Sequence, residues 1–268
     1  MAETHFDRAA FEARLSTRRL GRPLIAHALL PSTNDAAWEA MAVGGAEGLV
    51  VVADAQSSGR GRAGRRWHMA PGRGLALSLL LRPGGVGAPL SVLPLASGLA
   101  LDLAFERLGV RTALKWPNDL LLNGRKVAGI LCESRSAEAG SPGRAVVIGV
   151  GVNLSQRRKD FPPELKDATS LALEGCRRER EEVAAEFLNA LEPLWEELKQ
   201  RGGAPVIGRW QERASFWGQT VRIHTPAGPV SGVARALDLE GRLVLESQSG
   251  ELIPILAGDL EVAGAAEP

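Results

Sequence analysis

Residues 56–67 read QSSGRGRAGRRW, and this stretch decides between two folds for the N-terminal part of the chain. It follows a buried, β-branched run at residues 49–53, and Gly59, Gly61 and Gly64 have the spacing of a dinucleotide-binding loop. Such a loop needs a helix immediately afterwards, so that the N-terminus of the helix meets the pyrophosphate. Here the sequence continues without a helical period and reaches Pro71. The stretch therefore favours an irregular loop over a Rossmann fold.

The same loop has a composition that suits the binding of anions. Glycine lets backbone N–H groups approach an anion, and Arg60, Arg62, Arg65 and Arg66 add planar, bidentate charge. A solvated basic surface loop is the simpler alternative, but it accounts less well for five glycines between residues 59 and 74. A nucleic-acid contact is a further alternative, although Trp67 is the loop's one aromatic residue and the net charge of the chain is +1. We predict a segment that orders around phosphates.

Length and composition are those of an ordinary globular protein. The 268 residues are 45% hydrophobic and 24% charged, enough for one large and one small domain. Two cysteines without a CxxC pair exclude a disulfide framework and favour a reducing compartment. The N-terminus lacks the pattern of a signal peptide, and the apolar stretches are too short to span a membrane. We therefore expect a cytoplasmic protein without membrane contact.

Periodicity predicts a mixture of helices and strands, followed by strands alone. Helices are expected at residues 7–20, 33–43, 90–108, 179–200 and 205–214. Strands are expected at residues 23–29, 49–53, 74–82, 112–116, 119–122, 126–133 and 145–154, with a hairpin turn at Asn123-Gly124. Short strands then follow at residues 219–224, 228–237, 243–247 and 251–256. The fold class is therefore α+β: a mixed β-sheet flanked by helices over residues 1–214, then a small β-barrel over residues 215–268.

Polar residues at one strand-to-helix junction exceed what a helix cap requires. Ser32, Thr33 and Asn34 are adjacent, and a cap would use one of them. Gln56 lies just past the end of a predicted buried strand, where an amide can recognise a urea-like or amide-like ligand. These residues predict a neutral polar pocket.

A lysine and several glycines occupy unexpected places in the later strands. Lys126 lies one residue into an apolar strand, between Gly124 and Gly129, where a surface lysine is not expected. Gly149 and Gly151 interrupt another strand, which indicates close approach of a ligand or of backbone. The four histidines are scattered and no acidic cluster accompanies them, so we expect no metal bound by protein ligands alone.

Five segments together resemble the catalytic domain of biotin–protein ligases. They are STN at residues 32–34, QSSGRGR at 56–62 with RW at 66–67, KWPND at 115–119, RKVAGI at 125–130 and IGVGVNL at 148–154. Each is weak alone, but all five occur in the family's order, and with the terminal strands the resemblance covers about residues 22–262. The resemblance implies a catalytic domain similar to class II aminoacyl-tRNA synthetases, followed by an SH3-like barrel.

The resemblance also implies an activity and the residues that serve it. Biotin would be activated by ATP with Mg²⁺ to biotinyl-5′-AMP and then transferred to a lysine of a biotin carboxyl carrier protein. Lys126 and Arg60 would be catalytic, and Asp119 would position the incoming lysine or the metal. The implied biotin-binding residues are Ser32, Thr33, Asn34, Gln56, Gly59, Arg60, Gly61, Arg62, Lys126 and Gly129. The implied ATP-binding residues are Arg62, Arg65, Trp67, Lys115, Asn118, Lys126 and Asn153.

The chain departs from the family pattern at a few positions. Ala63 stands where the family often has a basic residue, and Ala76 and Leu121 stand where aromatic residues are common. The chain contains no tyrosine, so the way adenine is gripped stays open. Only about twenty residues precede the first predicted strand, too few for the DNA-binding domain of many relatives. We therefore expect no nucleic-acid binding, and either a monomer or a homodimer.

The same sequence features allow two rival functions. Lipoate ligases and octanoyltransferases have a related fold, and octanoyl transfer needs a thiol beside a lysine. Cys132 is six residues from Lys126 on the same predicted strand, which separates them by ~20 Å at ~3.3 Å per residue. The two side chains could not act as a pair. The second rival is a non-enzymatic nucleic-acid-binding module built on the arginine loop and the terminal strands.

Overall fold

Two β-sheets organise the chain in the computed structural model, which describes residues 4–84, 89–136 and 144–262. The larger sheet contains β1 (Leu24–Leu30), β2 (Val50–Gln56), β3 (Gly74–Leu81), β4 (Ala113–Lys115), β5 (Asp119–Leu122), β6 (Arg125–Ser136) and β7 (Arg144–Asn153). Its strand order is β1-β2-β3-β7-β6-β5-β4. The β1–β2 pair is parallel and the other neighbours are antiparallel, which confirms the predicted mixed sheet.

Helices cover both faces of this sheet, but unequally. They are α1 (Arg8–Arg14), α2 (Thr33–Ala42), α3 (Leu93–Arg107), α4 (Arg180–Arg201) and α5 (Ala204–Arg213). Alternate strand residues point to opposite faces, so Val50 and Val52 pack in the core with α3 and α4, whereas Val51 packs against α2. One short helix on the second face leaves part of the sheet uncovered, and the candidate site lies there.

The first helix is shorter than predicted. The pattern predicts a helix over residues 7–20, but α1 ends at Arg14. The backbone N–H groups of Arg18, Arg19 and Leu20 donate instead to the carboxylate of Glu192 on α4. A distant side chain thus satisfies donors that a longer helix would have used internally.

The smaller sheet has one more strand than predicted. Its strands are β8 (Thr220–Thr225), β9 (Gly228–Leu237), β10 (Leu243–Glu246), β11 (Leu252–Ile255) and β12 (Asp259–Val262), in the order β11-β10-β9-β8-β12. The sequence pattern missed β12, which pairs antiparallel with β8. Trp116 Nε1 donates to the carbonyl of Gly241 at 3.1 Å, and Ser91 Oγ donates to the carbonyl of Glu240 at 2.7 Å. These bonds join the turn between β9 and β10 to the segment before α3 and to the turn between β4 and β5.

Across residues 4–84, 89–136 and 144–262, no helix combines the length and the apolar character that a bilayer span requires.

Candidate active site

A cleft of about 470 Å³ lies on the sparsely covered face of the larger sheet. Glycines replace side chains on its floor, at Gly129 on β6 and at Gly149 and Gly151 on β7. Fifteen of the sixteen predicted site residues line this cleft, from Ser32 on α2's N-terminal side to Asn153 at the end of β7. Gly59 does not line it. A side chain at Gly59 would overlap the carbonyl of Trp67, so this glycine lets the loop close on itself.

One end of the cleft is a buried polar pocket, formed by Ser32, Thr33, Asn34, Gln56 and Ser78. Gln56 Oε1 accepts from the backbone N–H of Thr33 at 2.8 Å and from its hydroxyl at 3.2 Å. The hydroxyl of Ser78 is 2.7 Å from Thr33 Oγ1 and 2.6 Å from Asn34 Oδ1. Ser32 occupies the predicted N-cap position, but its side chain makes no capping bond. Gln56 instead accepts from the N–H of Thr33, the first residue of the helix. The Ser32 hydroxyl thus stays available to a ligand in the cleft.

The glycine at position 149 makes room for this pocket. A Cβ atom there would overlap the Asn34 amide oxygen. The close approach at Gly149 is therefore made by a side chain, not by the ligand or backbone that the sequence predicted.

The arginine loop, residues 59–67, forms the opposite wall of the cleft. Arg60 and Arg66 form a single β-bridge, and a 3₁₀ turn over Arg62–Gly64 makes the tip. Ala63 adopts a φ of 52° at this tip, in the left-handed region that most side chains disfavour. The loop is therefore a defined turn, not an unstructured basic segment.

The arginines of this loop differ in their partners. Arg60 pairs with Asp35 at 2.5 Å and with Glu133 at 3.2 Å, and the hydrogen bond to Asp35 raises its pKa. Arg62 donates to the amide oxygen of Asn118 at 2.7 Å, and burial lowers its pKa. In the described part of the chain, Arg62 has no carboxylate within ion-pair distance. Arg62 is therefore a half-buried cation that pairs directly with no carboxylate of the described residues.

Trp67 covers the glycine floor. A side chain at Gly151 would overlap its indole ring, and one at Gly129 would lie 3.3 Å from it. The indole Nε1 is buried, and it has no hydrogen-bond partner among the residues that the structure describes. Buried donors are usually paired, so this N–H marks a place where a ligand acceptor would fit.

Lys126 lies in the cleft between two chain segments. Its backbone N–H donates to Asp167 at 2.7 Å, and its carbonyl accepts from Thr169 at 2.8 Å. Its Nζ lies 2.7 Å from Asp119 Oδ1 and 6.0 Å from the centre of the Trp67 ring. Asp119 Oδ1 is buried and has no hydrogen-bond partner in the described residues. Its contact with Lys126 is therefore an ion pair whose geometry does not meet that of a hydrogen bond.

The segment after β7 adds an apolar wall that the sequence did not predict. Phe161, Leu165 and Ala168 line the cleft. Asn153 supports this segment, since its Nδ2 donates to the carbonyl of Thr169 at 2.8 Å and its Oδ1 accepts from Gln156 at 2.8 Å. Much of the Asn153 amide is thus already used inside the protein, which limits its predicted contact with ATP.

The smaller sheet also reaches the cleft, a further contribution that the sequence did not predict. His224, Asp259 and Glu261 line it from β8 and β12. Asp259 pairs with Arg65 at 2.8 Å. Burial alone would raise the pKa of Asp259, but the hydrogen bond and charge of Arg65 outweigh burial and lower it. The missed strand β12 explains why Asp259 and Glu261 were not predicted.

Metal-binding side chains do not cluster in the described residues. No group of three or more His, Cys, Asp or Glu side chains there could hold a metal ion.

Known proteins resemble this chain in sequence and in fold. The Biotin/lipoate A/B protein ligase family matches residues 26–153, and the Biotin protein ligase C terminal domain matches residues 216–262. The Bifunctional ligase/repressor BirA of Bacillus subtilis is 38% identical over 254 residues, covering 92% of this chain and 76% of that protein. The Biotin–[acetyl-CoA-carboxylase] ligase of Paracoccus denitrificans is 35% identical, covering 84% and 91%. The biotin protein ligase from Aquifex aeolicus, solved in complex with biotin and ATP, superposes with a TM-score of 0.75 at 29% identity, covering 90% of this chain and 98% of that one.

Proposed function

Since the chain belongs to the biotin–protein ligases, we propose that its cleft performs both steps of biotin attachment. In the first step, the biotin carboxylate attacks the α-phosphate of ATP, which forms biotinyl-5′-AMP and releases pyrophosphate. In the second, the amine of a lysine on a biotin carboxyl carrier protein attacks the acyl carbon, and AMP leaves. The observation that carries the proposal is the single cleft shared by the polar pocket, the arginine loop and Lys126.

The polar pocket has the chemistry to hold the biotin ring system. A cyclic urea is neutral and offers both donors and an acceptor. The Ser32 hydroxyl and the Gln56 amide provide complementary groups beside a buried hydrogen-bonded framework. Groups fixed in this way discriminate well, because a ligand that lacks a partner leaves a buried polar atom unpaired.

Charge stabilisation at the other end would come chiefly from Arg62 and Lys126. The first step brings two anions together, and charge-assisted contacts are worth roughly 1.5–3 kcal/mol each. Arg62 has no carboxylate partner among the described residues and Lys126 has one, Asp119, so neither cation is fully neutralised before a phosphate binds. Arg60 is held by two carboxylates, and its predicted catalytic role stays a prediction.

Mg²⁺ would enter with the nucleotide. It prefers oxygen ligands and usually keeps several waters while it binds substrate phosphates, which fits a cleft with no ready cluster of metal-binding side chains among its described residues. Bound there, it would neutralise charge on the leaving pyrophosphate.

The apolar wall would offer a way to hold adenine without tyrosine. Phe161, Leu165 and Ala168 provide a surface for a flat base, and Lys115 and Asn118 add polar groups to the same cleft. Apolar walls with a few placed polar groups are typical of small-molecule sites. Trp67 would cover the adenylate and keep water from the mixed anhydride.

Asp119 would serve the second step. Once Lys126 turns towards the phosphate, the buried Oδ1 of Asp119 becomes an acceptor without a partner. An incoming lysine would supply the missing donor, so Asp119 would position its amine near the acyl carbon.

The octanoyltransferase alternative is disfavoured by the state of Cys132. The thiol lines a separate cavity of about 160 Å³, not the cleft. Burial raises its pKa to about 12, so it stays protonated at neutral pH. A protonated thiol outside the cleft is a poor nucleophile for acyl transfer.

We further propose a domain organisation and a cellular location for the protein. Residues 1–214 would form the catalytic domain, and residues 215–268 the SH3-like domain. The protein would act in the cytoplasm, as a monomer or homodimer, without nucleic acid. Both cysteines are free and half-buried, which suits a reducing compartment.

Exchange of labelled pyrophosphate into ATP tests the adenylation step. Purified protein with Mg²⁺ should catalyse exchange when biotin is present, and lipoate should not replace it. Exchange that is absent with biotin, or that lipoate supports equally, would overturn the proposal.

A further inference from the structure

Glu133 on β6 connects the two ends of the cleft without lining it. Its Oε2 accepts from Asn34 Nδ2 at 2.9 Å and from Trp38 Nε1 at 3.3 Å. Arg60 Nη2 lies 3.2 Å from both of its carboxylate oxygens. One carboxylate therefore joins helix α2, the polar pocket and the arginine loop.

This carboxylate fixes which way the Asn34 amide faces. Asn34 Nδ2 faces Glu133, and Asn34 Oδ1 faces the Ser78 hydroxyl. A flipped amide would place its oxygen against a carboxylate, where both groups are acceptors and repel. The absence of a side chain at Gly149 leaves room for the amide in this orientation.

The same carboxylate changes what Arg60 can do. Asp35 and Glu133 together carry two negative charges against the single positive charge of Arg60. The cluster has a net charge of −1 when all three groups are ionised, so it does not attract an anionic substrate. Its geometry instead ties the base of the arginine loop to α2 and β6.

We infer that Glu133 is a positioning residue for biotin: it orients the Asn34 amide and, through Arg60, fastens the arginine loop beside the polar pocket. The inference rests on the proposed function, because biotin is the ligand concerned. Glu133 acts through Asn34 and Arg60 and does not itself touch the substrate. Gly129, Leu131 and Glu133 follow one another at a spacing of two residues along β6, so all three point to the same face of the sheet. Because Gly129 and Leu131 line the cleft, this is the cleft face.

Glu133→Gln tests this role with little change of shape. The new amide presents an N–H₂ group to Arg60 or to Asn34, both of which are donors, so one contact is lost. We expect the Kd of biotin, measured by calorimetry, to rise about tenfold, while the KM for ATP in pyrophosphate exchange changes less than twofold. A merely structural loss would weaken both ligands alike. Glu197→Gln is the matched control: Glu197 pairs with Arg201 and Arg209, away from the cleft, and this variant should bind biotin as the wild type does.

A double-mutant cycle with Arg60→Gln tests the connection itself. Each single variant should weaken biotin about tenfold, and the double variant should weaken it by clearly less than the hundredfold product, because the two variants share the Glu133–Arg60 contact. A hundredfold loss in the double variant, or wild-type affinity in Glu133→Gln, would overturn the inference alone. Wild-type protein that binds no biotin would overturn the proposed function and this inference with it.

Discussion

The polar pocket and the arginine loop differ in how they are held. Ser32, Thr33 and Asn34 are at most 4% exposed and Ser78 is fully buried, and the pocket residues bond mainly to one another or to strand side chains. The side chain of Arg65 in the loop is 56% exposed, and its ion pair reaches across to the smaller sheet. One end of the cleft is therefore set by the core of the larger sheet, and the other by contacts near solvent.

This difference separates recognition from chemistry. A buried, mutually bonded pocket has a fixed shape and can select a neutral ring system at little cost of ordering. A loop with exposed charges and few apolar contacts can open and close locally, as a site must when it admits ATP, releases pyrophosphate and then admits a carrier protein. Substitutions at the two ends should therefore affect different steps.

Lys126→Ala should have the largest effect, and this effect should be on the rate of adenylation, not on the binding of biotin. Removing the charge beside the reacting phosphate should slow biotin-dependent pyrophosphate exchange about a hundredfold, the loss expected for a contact of about 3 kcal/mol. The Kd of biotin, measured by calorimetry, should change less than threefold, because the polar pocket is untouched. Lys199→Ala removes a lysine on α4 and is the control. An unchanged exchange rate in Lys126→Ala would remove this lysine from the reaction.

Gly149→Ala should have the next largest effect, and on binding. The added methyl group would overlap the Asn34 amide and distort the pocket. We expect the Kd of biotin to rise about twentyfold while the KM for ATP stays within twofold. Gly208→Ala, where nothing lies within 4 Å of the new Cβ, should leave both values unchanged. An equal loss of ATP affinity in Gly149→Ala would show that the two ends are not separate.

Gly151→Ala should have a smaller effect, and this effect should be on the arginine-loop end of the cleft. The methyl group would displace the Trp67 indole, whose Nε1 has no hydrogen-bond partner in the described residues. We expect the exchange rate to fall about fivefold at saturating biotin, with little change in the Kd of biotin. A change confined to biotin binding would contradict the assignment of Trp67 to the adenylate.

Asp259→Asn should have the smallest effect. Asp259 and Arg65 are each about half exposed, and such ion pairs contribute about 0–1 kcal/mol. Because Arg65 lowers the pKa of Asp259 in the folded protein, the contribution is present above the ordinary Asp pKa of about 3.9 and is lost as the pH falls below it. The stability difference between wild type and variant, measured by urea unfolding, should therefore be present at pH 7 and shrink towards pH 3. A difference that grows on acidification would have the wrong sign.

Local patterns in the sequence predicted most of the larger sheet. The Asn123-Gly124 turn was confirmed, and both residues adopt the positive φ that this turn requires. Alternation and glycine punctuation placed most of the other strands within two or three residues. These features depend on neighbours in the chain, which a single sequence shows directly.

What the sequence could not predict depends on distant partners. The end of α1 is set by Glu192, which lies over 170 residues away. Glu133 looks like an ordinary strand residue until Asn34, Trp38 and Arg60 are seen around it. The wall of Phe161, Leu165 and Ala168 belongs to no helix or strand of its own, so no periodicity marked it. The likeness to a known family supplied the list of site residues, but not these supports.

A crystal structure with a non-hydrolysable analogue of biotinyl-5′-AMP tests the central claim most directly. The account predicts the fused ring of biotin against Ser32, Thr33 and Gln56, and the phosphate analogue within about 3 Å of Lys126 Nζ, with Arg62 beside it. A ligand whose ring lies outside the polar pocket, or a Lys126 that stays on Asp119 and away from the phosphate, would contradict it.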